Sequence, residues 1–227
     1  MPMLNTFRTW INGISPLWLG CALAAICLAS PLGIFEKDTT VTLGQFVGHA
    51  DFNPSTGEYS VMGAGGEISG KADGFQYLWK RVTGDVAVNA DARIIGTDST
   101  ERSQAALMVR QSLDPDAAYA SAVIYGDGRS SVQYRVDKGA SSRSADFPAY
   151  GNMAGMVHLS VRRQGDSFTI AVGRMGKMGG SIPVSAPVTV TMNGPVYVGL
   201  ALGSPNDPKR QATAVFSNVL IQGLRAE

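Results

Sequence analysis

From Phe52 to Ile221 the chain never holds an apolar pattern at helical period. It runs instead in short stretches whose apolar residues alternate, broken by turns rich in glycine and aspartate. Alternation at period two sends successive side chains to opposite faces of an extended strand, so such a chain must bury one face of each strand against a second sheet. The stretches that qualify are residues 58–62, 75–79, 86–95, 105–112, 119–125, 132–136, 157–162, 167–172, 188–190, 196–202 and 213–221. Turn chemistry separates them: Gly63-Ala64-Gly65-Gly66, Gly84-Asp85, Asp114-Pro115-Asp116, Gly126-Asp127-Gly128 and Gly165-Asp166. The glycine- and methionine-rich run Arg174 to Ser181 reads as a flexible loop. About eleven strands at this spacing predict an all-β sandwich or jelly roll, with no linker that would divide it.

Composition agrees. Among 227 residues there are 27 glycines and 11 prolines, with 16% charged side chains, which suits short strands and tight turns and argues against a coiled coil or charge-rich disorder. Arg8 is the sole charged side chain before Glu36, so the remaining 18 basic and 18 acidic side chains cancel. A neutral body offers no electrostatic footprint for nucleic acid.

The segment Leu17 to Phe35, LWLGCALAAICLASPLGIF, carries no charge. Residues 1–35 are therefore expected to form an apolar helix that engages a membrane or the secretion machinery, leaving residues 36–227 as the folded body. A signal cut after Ala29, an uncleaved anchor of about 20 residues, and a lipoprotein cut before Cys21 all remain open. All three put the body in the periplasm or outside the cell, with Arg8 keeping the anchored tail inside. Both cysteines, Cys21 and Cys27, lie in this segment. The body then has no thiol for a disulfide, a cysteine zinc site or a cysteine nucleophile.

Several segments resemble a known group of sandwiches. They are Gly70 to Asp85 (GKADGFQYLWKRVTGD), Ala106 to Leu113 (ALMVRQSL), Ser131 to Arg135 (SVQYR), Leu159 to Phe168 (LSVRRQGDSF), Val196 to Ala201 (VYVGLA) and Ala214 to Val219 (AVFSNV). Together they look like concanavalin A-like or LamG-like modules of the domain-of-unknown-function 1349 type, which accompany TolB-like propellers and glycoside hydrolases. The resemblance covers about His49 to Ile221 and implies fold more than activity. His158 and the loop RMGKMGG stand where relatives often carry tryptophan, which removes aromatic surface suited to a sugar. The resemblance also implies a calcium ion at a loop edge, for which Asp114 and Asp116, or Asn206-Asp207, are the candidate ligands.

Catalytic constellations are sparse. The two histidines, His49 and His158, are far apart and no Gly-x-Ser-x-Gly is present, so a Ser-His-Asp triad is not expected. Glu58, Glu67, Asp73, Asp85, Asp91 and Glu101 supply carboxylates for a glycosidase-type pair, but Asp73 and Asp85 stand in turns beside glycine. Phe75, Tyr77 and Trp79 share one strand face and are read either as a stacking platform or as core between the sheets, the latter favoured for Phe75. Arg110, in an apolar strand, needs a paired acid or a ring face if buried. With Gln133 and Arg135 it forms a candidate polar patch. Tyr77, Trp79, Arg110, Gln133, Arg135 and His158 are thus the candidate ligand-binding residues. The expectation is a non-catalytic exported module for glycan or an envelope protein, against a glycoside hydrolase or lyase, or a structural part of an envelope assembly.

Overall fold

The computed structural model describes residues 31–42, 48–63, 66–96, 102–147, 155–173, 185–204 and 211–224. The N-terminal apolar segment up to Ser30, the loop from Arg174 to Ser181 and the Asn206-Asp207 pair fall outside them. In chain order the strands are β1 (Lys37–Val41), β2 (His49–Asn53), β3 (Glu58–Gly63), β4 (Phe75–Val82), β5 (Val86–Ile95), β6 (Gln104–Arg110), β7 (Tyr119–Tyr125), β8 (Ser130–Arg135), β9 (Arg143–Phe147), β10 (Val157–Gln164), β11 (Ser167–Gly173), β12 (Val188–Thr189), β13 (Val196–Gly203) and β14 (Ala212–Gly223).

They form two seven-stranded sheets. Sheet A runs β1-β4-β13-β6-β7-β8-β9 and sheet B runs β12-β11-β10-β5-β14-β3-β2, with every pairing antiparallel. The expected strands are all present. Three more were not anticipated: β1, β2 and β9, each at the edge of a sheet.

The main core lies between the sheets. Sheet A supplies Leu78, Leu107, Val109, Ala120, Ala122, Val198 and Leu200; sheet B supplies Val61, Val88, Ala90, Leu159, Val161, Phe168, Ile170 and Phe216, all fully buried. Burying each of the larger side chains is worth roughly 1.5–3 kcal/mol, so this layer is the main source of stability. Arg163 continues the inward face of β10 at the sandwich end. Its guanidinium donates to the carbonyls of Gly165, Gly84 and Met192, so burial leaves it no idle edge.

A second core sits on the outside of sheet A. Ile68 clusters there with Phe75, Tyr77, Ala106, Met108, Tyr119, Val123 and Ala201. The connection between β3 and β4 therefore does not swing clear of the sheet; it lies over the outer face. Gly74 N–H donates to the Glu67 carbonyl at 2.9 Å, closing the connection into a loop. At its neck a Cβ on Gly66 would stand 2.4 Å from the Gly74 Cα, so only glycine permits that approach.

Candidate functional site

Strand registers assemble the outer face of sheet A row by row. Lys37, Trp79, Gly199, Met108, Ser121, Gln133 and Ser144 stand opposite one another in turn across all seven strands. The next row is Arg81, Tyr197, Arg110, Tyr119 and Arg135. Five of the six candidate ligand residues, Tyr77, Trp79, Arg110, Gln133 and Arg135, thus share one face. Phe75 shares it too. It packs under Ile68 on the outside of the sandwich instead of between the sheets, because Leu78 is the β4 residue that turns inward.

Arg110 and Arg135 are both fully buried, and the acid that they require is Asp73. Arg110 Nη1 donates to Asp73 Oδ2 at 2.7 Å, while Arg135 grips both carboxylate oxygens, Nη2 to Oδ1 at 2.7 Å and Nη1 to Oδ2 at 2.8 Å. Backbone carbonyls take the remaining donors. Arg110 bonds those of Ser112, Asp114 and Pro115; Arg135 bonds those of Gly70, Pro115, Ala117 and Ala140. Ring faces complete the cage, with Phe75 and Tyr119 at 5.2 and 5.6 Å from Arg110 and Tyr119 at 5.0 Å from Arg135. Burial works against the charge on Arg135, but the Asp73 carboxylate outweighs it and raises the pKa of the guanidinium. With the donors of both forks engaged inside the protein, this cluster holds loops in place and offers a ligand no direct contact.

Two margins of the face stay accessible. On the β4–β13 side, Trp79 and Tyr197 meet edge to face at 4.9 Å and 77°, both half-buried. Trp79 Nε1 donates to Thr39 Oγ1 at 3.0 Å, which fixes the indole on the face. Tyr77 lies beside them but is fully buried, its hydroxyl within reach of the carbonyls of Met108 and Tyr197; burial raises its pKa. On the β7–β8 side, Gln133 Nε2 donates to the Tyr125 hydroxyl at 2.6 Å, and Arg129 stacks over the Tyr125 ring at 4.5 Å. Gln133 Oε1 is buried with no partner among the described residues, while Ser142 lies within interacting range of the buried Tyr119 hydroxyl. Tyr125 and Tyr197 were not singled out from sequence. The alternation in VYVGLA carries the signal for Tyr197, since it opposes the inward Val196 and Val198.

His158 is elsewhere. It lies on the outer face of sheet B, where its Nδ1 is 2.8 Å from Asp91 Oδ1. Asn218 Nδ2 donates to the other Asp91 oxygen at 2.7 Å from a bulge in β14, in the left-handed conformation (φ 52°). The sandwich itself separates this cluster from the face that carries Trp79.

Asp114 and Asp116 converge on an ammonium group. Lys138 Nζ lies 2.5 Å from Asp114 Oδ2 and 3.6 Å from Asp116 Oδ1, and its hydrogen bond holds the Asp114 carboxyl below the usual carboxylate range. The Asp114 and Pro115 carbonyls are turned toward Arg110. Calcium needs six or more oxygens, and this donor set, already facing two cations, does not fit it. No group of three or more potential metal-ligating side chains occurs among the described residues.

No protein-family model matches the chain, and no curated protein matches it in sequence. Solved structures share its fold. A functionally unknown protein from Saccharomyces cerevisiae superposes with TM-score 0.57 at 16% identity, covering 79% of this chain and 97% of its own. The carbohydrate-binding module CBM66 from Bacillus subtilis gives 0.54 at 17%, covering 84% and 98%. A family 7 alginate lyase in complex with product gives 0.51 at 10%, covering 76% and 82%. At such identities the likeness establishes a fold and nothing further: the chain is a two-sheet antiparallel β-sandwich that shares its architecture with these structures.

Proposed function

We propose that the body of this protein is a non-catalytic glycan-binding module, delivered out of the cytoplasm by residues 1–35, and that its ligand rests on the Trp79–Tyr197 margin of sheet A. The observation that carries the reading is that half-buried aromatic pair. An indole locked by Thr39 and braced by a second ring offers a rigid apolar plane, and sugar rings stack on such planes at little entropic cost. The commitment of Arg110, Arg135 and Asp73 to one another leaves these three buried groups unavailable as a catalytic acid or base, which supports binding over catalysis. A glycan array probed with the full chain should give hits that Trp79→Ala abolishes in a variant that is less stable but still folded at the assay temperature, as circular dichroism would verify. An empty array, or a Trp79→Ala variant that binds as before, would remove the proposal. Appearance of unsaturated or reducing ends in polysaccharide incubated with the protein would replace it with the lyase or hydrolase reading.

A further inference from the structure

We infer that the glycan taken at this margin is acidic, its sugars bearing carboxylate or sulfate; the inference rests on the glycan-binding reading and narrows it. Two cations frame the aromatic pair on the same face. Lys37 stands directly across from Trp79 on β1, and Arg81 is two residues along β4, directly across from Tyr197 on β13. Side chains opposite one another on a sheet lie roughly 4.5–5.5 Å apart at Cβ, and those two along a strand roughly 7 Å, so both heads reach a ring seated on the indole.

Both cations are exposed, and neither makes an ion pair with any described residue. That contrasts with the acids at the rim of the same face. Glu67 is held by Arg102, Asp127 by Arg129, and Asp114 and Asp116 by Lys138. On β1 itself, Asp38 turns to the other side, where its carboxylate accepts from the Ala50 N–H and from Gln76 Nε2. Behind Tyr197 the buried cluster sets two guanidinium groups against a single carboxylate, a surplus that Asp114 and Asp116 against the single Lys138 offset. The margin is therefore a flat aromatic seat with an exposed cation on each of two sides that no described acid pairs, although the exposed Glu36 stands next to Lys37. A neutral sugar would use the seat and leave the charge idle, whereas a uronate or sulfated sugar would use both.

The test compares charged and uncharged forms of one backbone, titrated into the full chain. Oligogalacturonate is paired with its methyl ester, and dextran sulfate with dextran. In at least one pair the acidic form should bind about tenfold tighter than the neutral form, which is the effect expected of two exposed charge contacts. Raising salt should erase the difference. The double variant Lys37→Ala, Arg81→Ala should bind both forms alike, while Glu36→Gln, beside the same margin, should not weaken the acidic form. Equal affinity for both forms, or a preference for the neutral one, overturns this inference and leaves the glycan reading standing. Loss of both forms in Trp79→Ala alone supports the seat. No binding of any form, together with an empty array, overturns both.

Discussion

Asp73 and Arg110 meet at 2.7 Å with both side chains sealed from solvent, one from the loop between β3 and β4 and the other from the end of β6. Arg135, on β8, closes on the same carboxylate. One acid thus ties a loop to two strands of sheet A that are not neighbours. Asp73→Asn would leave two buried guanidinium groups facing a neutral amide, and stability should fall by about 3–5 kcal/mol in urea denaturation. Arg110→Met keeps the bidentate Arg135 grip and should cost less, about 1–3 kcal/mol for the stranded carbonyls. Equal melting of Asp73→Asn and the parent protein would show that the cluster does not hold the fold.

Gly199 lies between Trp79 and Met108, and a Cβ there would meet the Leu78 carbonyl oxygen at 2.0 Å. The obstacle is backbone and cannot rotate aside. Gly199→Ala should cost about 1–3 kcal/mol or more, and should weaken ligand binding by shifting β4 under Trp79. Thermal unfolding checks the first effect. A variant as stable as the parent would mean that the two strands can separate freely.

Lys138 and Asp114 form a solvent-facing pair, and its pH signature has a definite sign. The Asp114 carboxyl is held low by its bond to Lys138, so its contribution to stability is complete above the ordinary aspartate pKa of ~3.9 and is lost as pH falls through the lower folded value. The ammonium is held high by the same bond, so its share persists through neutral pH and disappears only as alkali titrates it. Carbon NMR titration should find Asp114 moved back up in Lys138→Met. Stability at neutral pH should hardly change, because exposed pairs contribute little. A titration curve that ignores the substitution would break the assignment.

At the β14 bulge, Asn218 combines a left-handed backbone with a bond to Asp91. Asn218→Gly keeps the backbone unstrained and loses only the bond. Asn218→Ala loses the bond and adds roughly 1–2 kcal/mol of steric cost. The alanine variant should therefore unfold first, and the reverse order would place the bulge elsewhere in solution.

Periodicity made the eleven inner and half-buried strands legible, because strands such as β5 and β10 alternate cleanly between buried and exposed positions. It was silent on β1, β2 and β9 for the same reason. These are short edge strands with polar sequences (KDTTV, HADFN, RSADF), and β9 is exposed along nearly its whole length. Main-chain pairing with β4, β3 and β8 orders them, helped by Val41 of β1 and by Ala50 and Phe52 of β2, too few apolar positions to show a period. The shared face of Phe75, Tyr77 and Trp79 was also legible. Which side of the sheet it occupied was not, since period two groups residues without saying which group looks inward. Arg110 in β6 announced a need for an acid or a ring face; that the acid is Asp73, many residues earlier in a glycine-bounded turn and shared with Arg135, is a fact of topology. Sequence likewise grouped His158 with residues that the fold sends to the opposite side of the molecule.

The loop carrying Ile68 has a consequence for ligand length. In an open jelly roll a polymer can lie along the sheet and be read at many sugars in succession. Here the protein's own chain roofs the middle of that path, burying Tyr77, Ala106, Met108, Val123 and Ala201, while Trp79 and Gln133 lie four strands apart, roughly 19 Å, on either side of the roof. A visitor to the Trp79 margin meets a short ledge with a wall behind it. If the proposed glycan binds there, such a ledge would favour chain ends and short branches over polymer interiors, and affinity would be independent of polymer length beyond the first few rings.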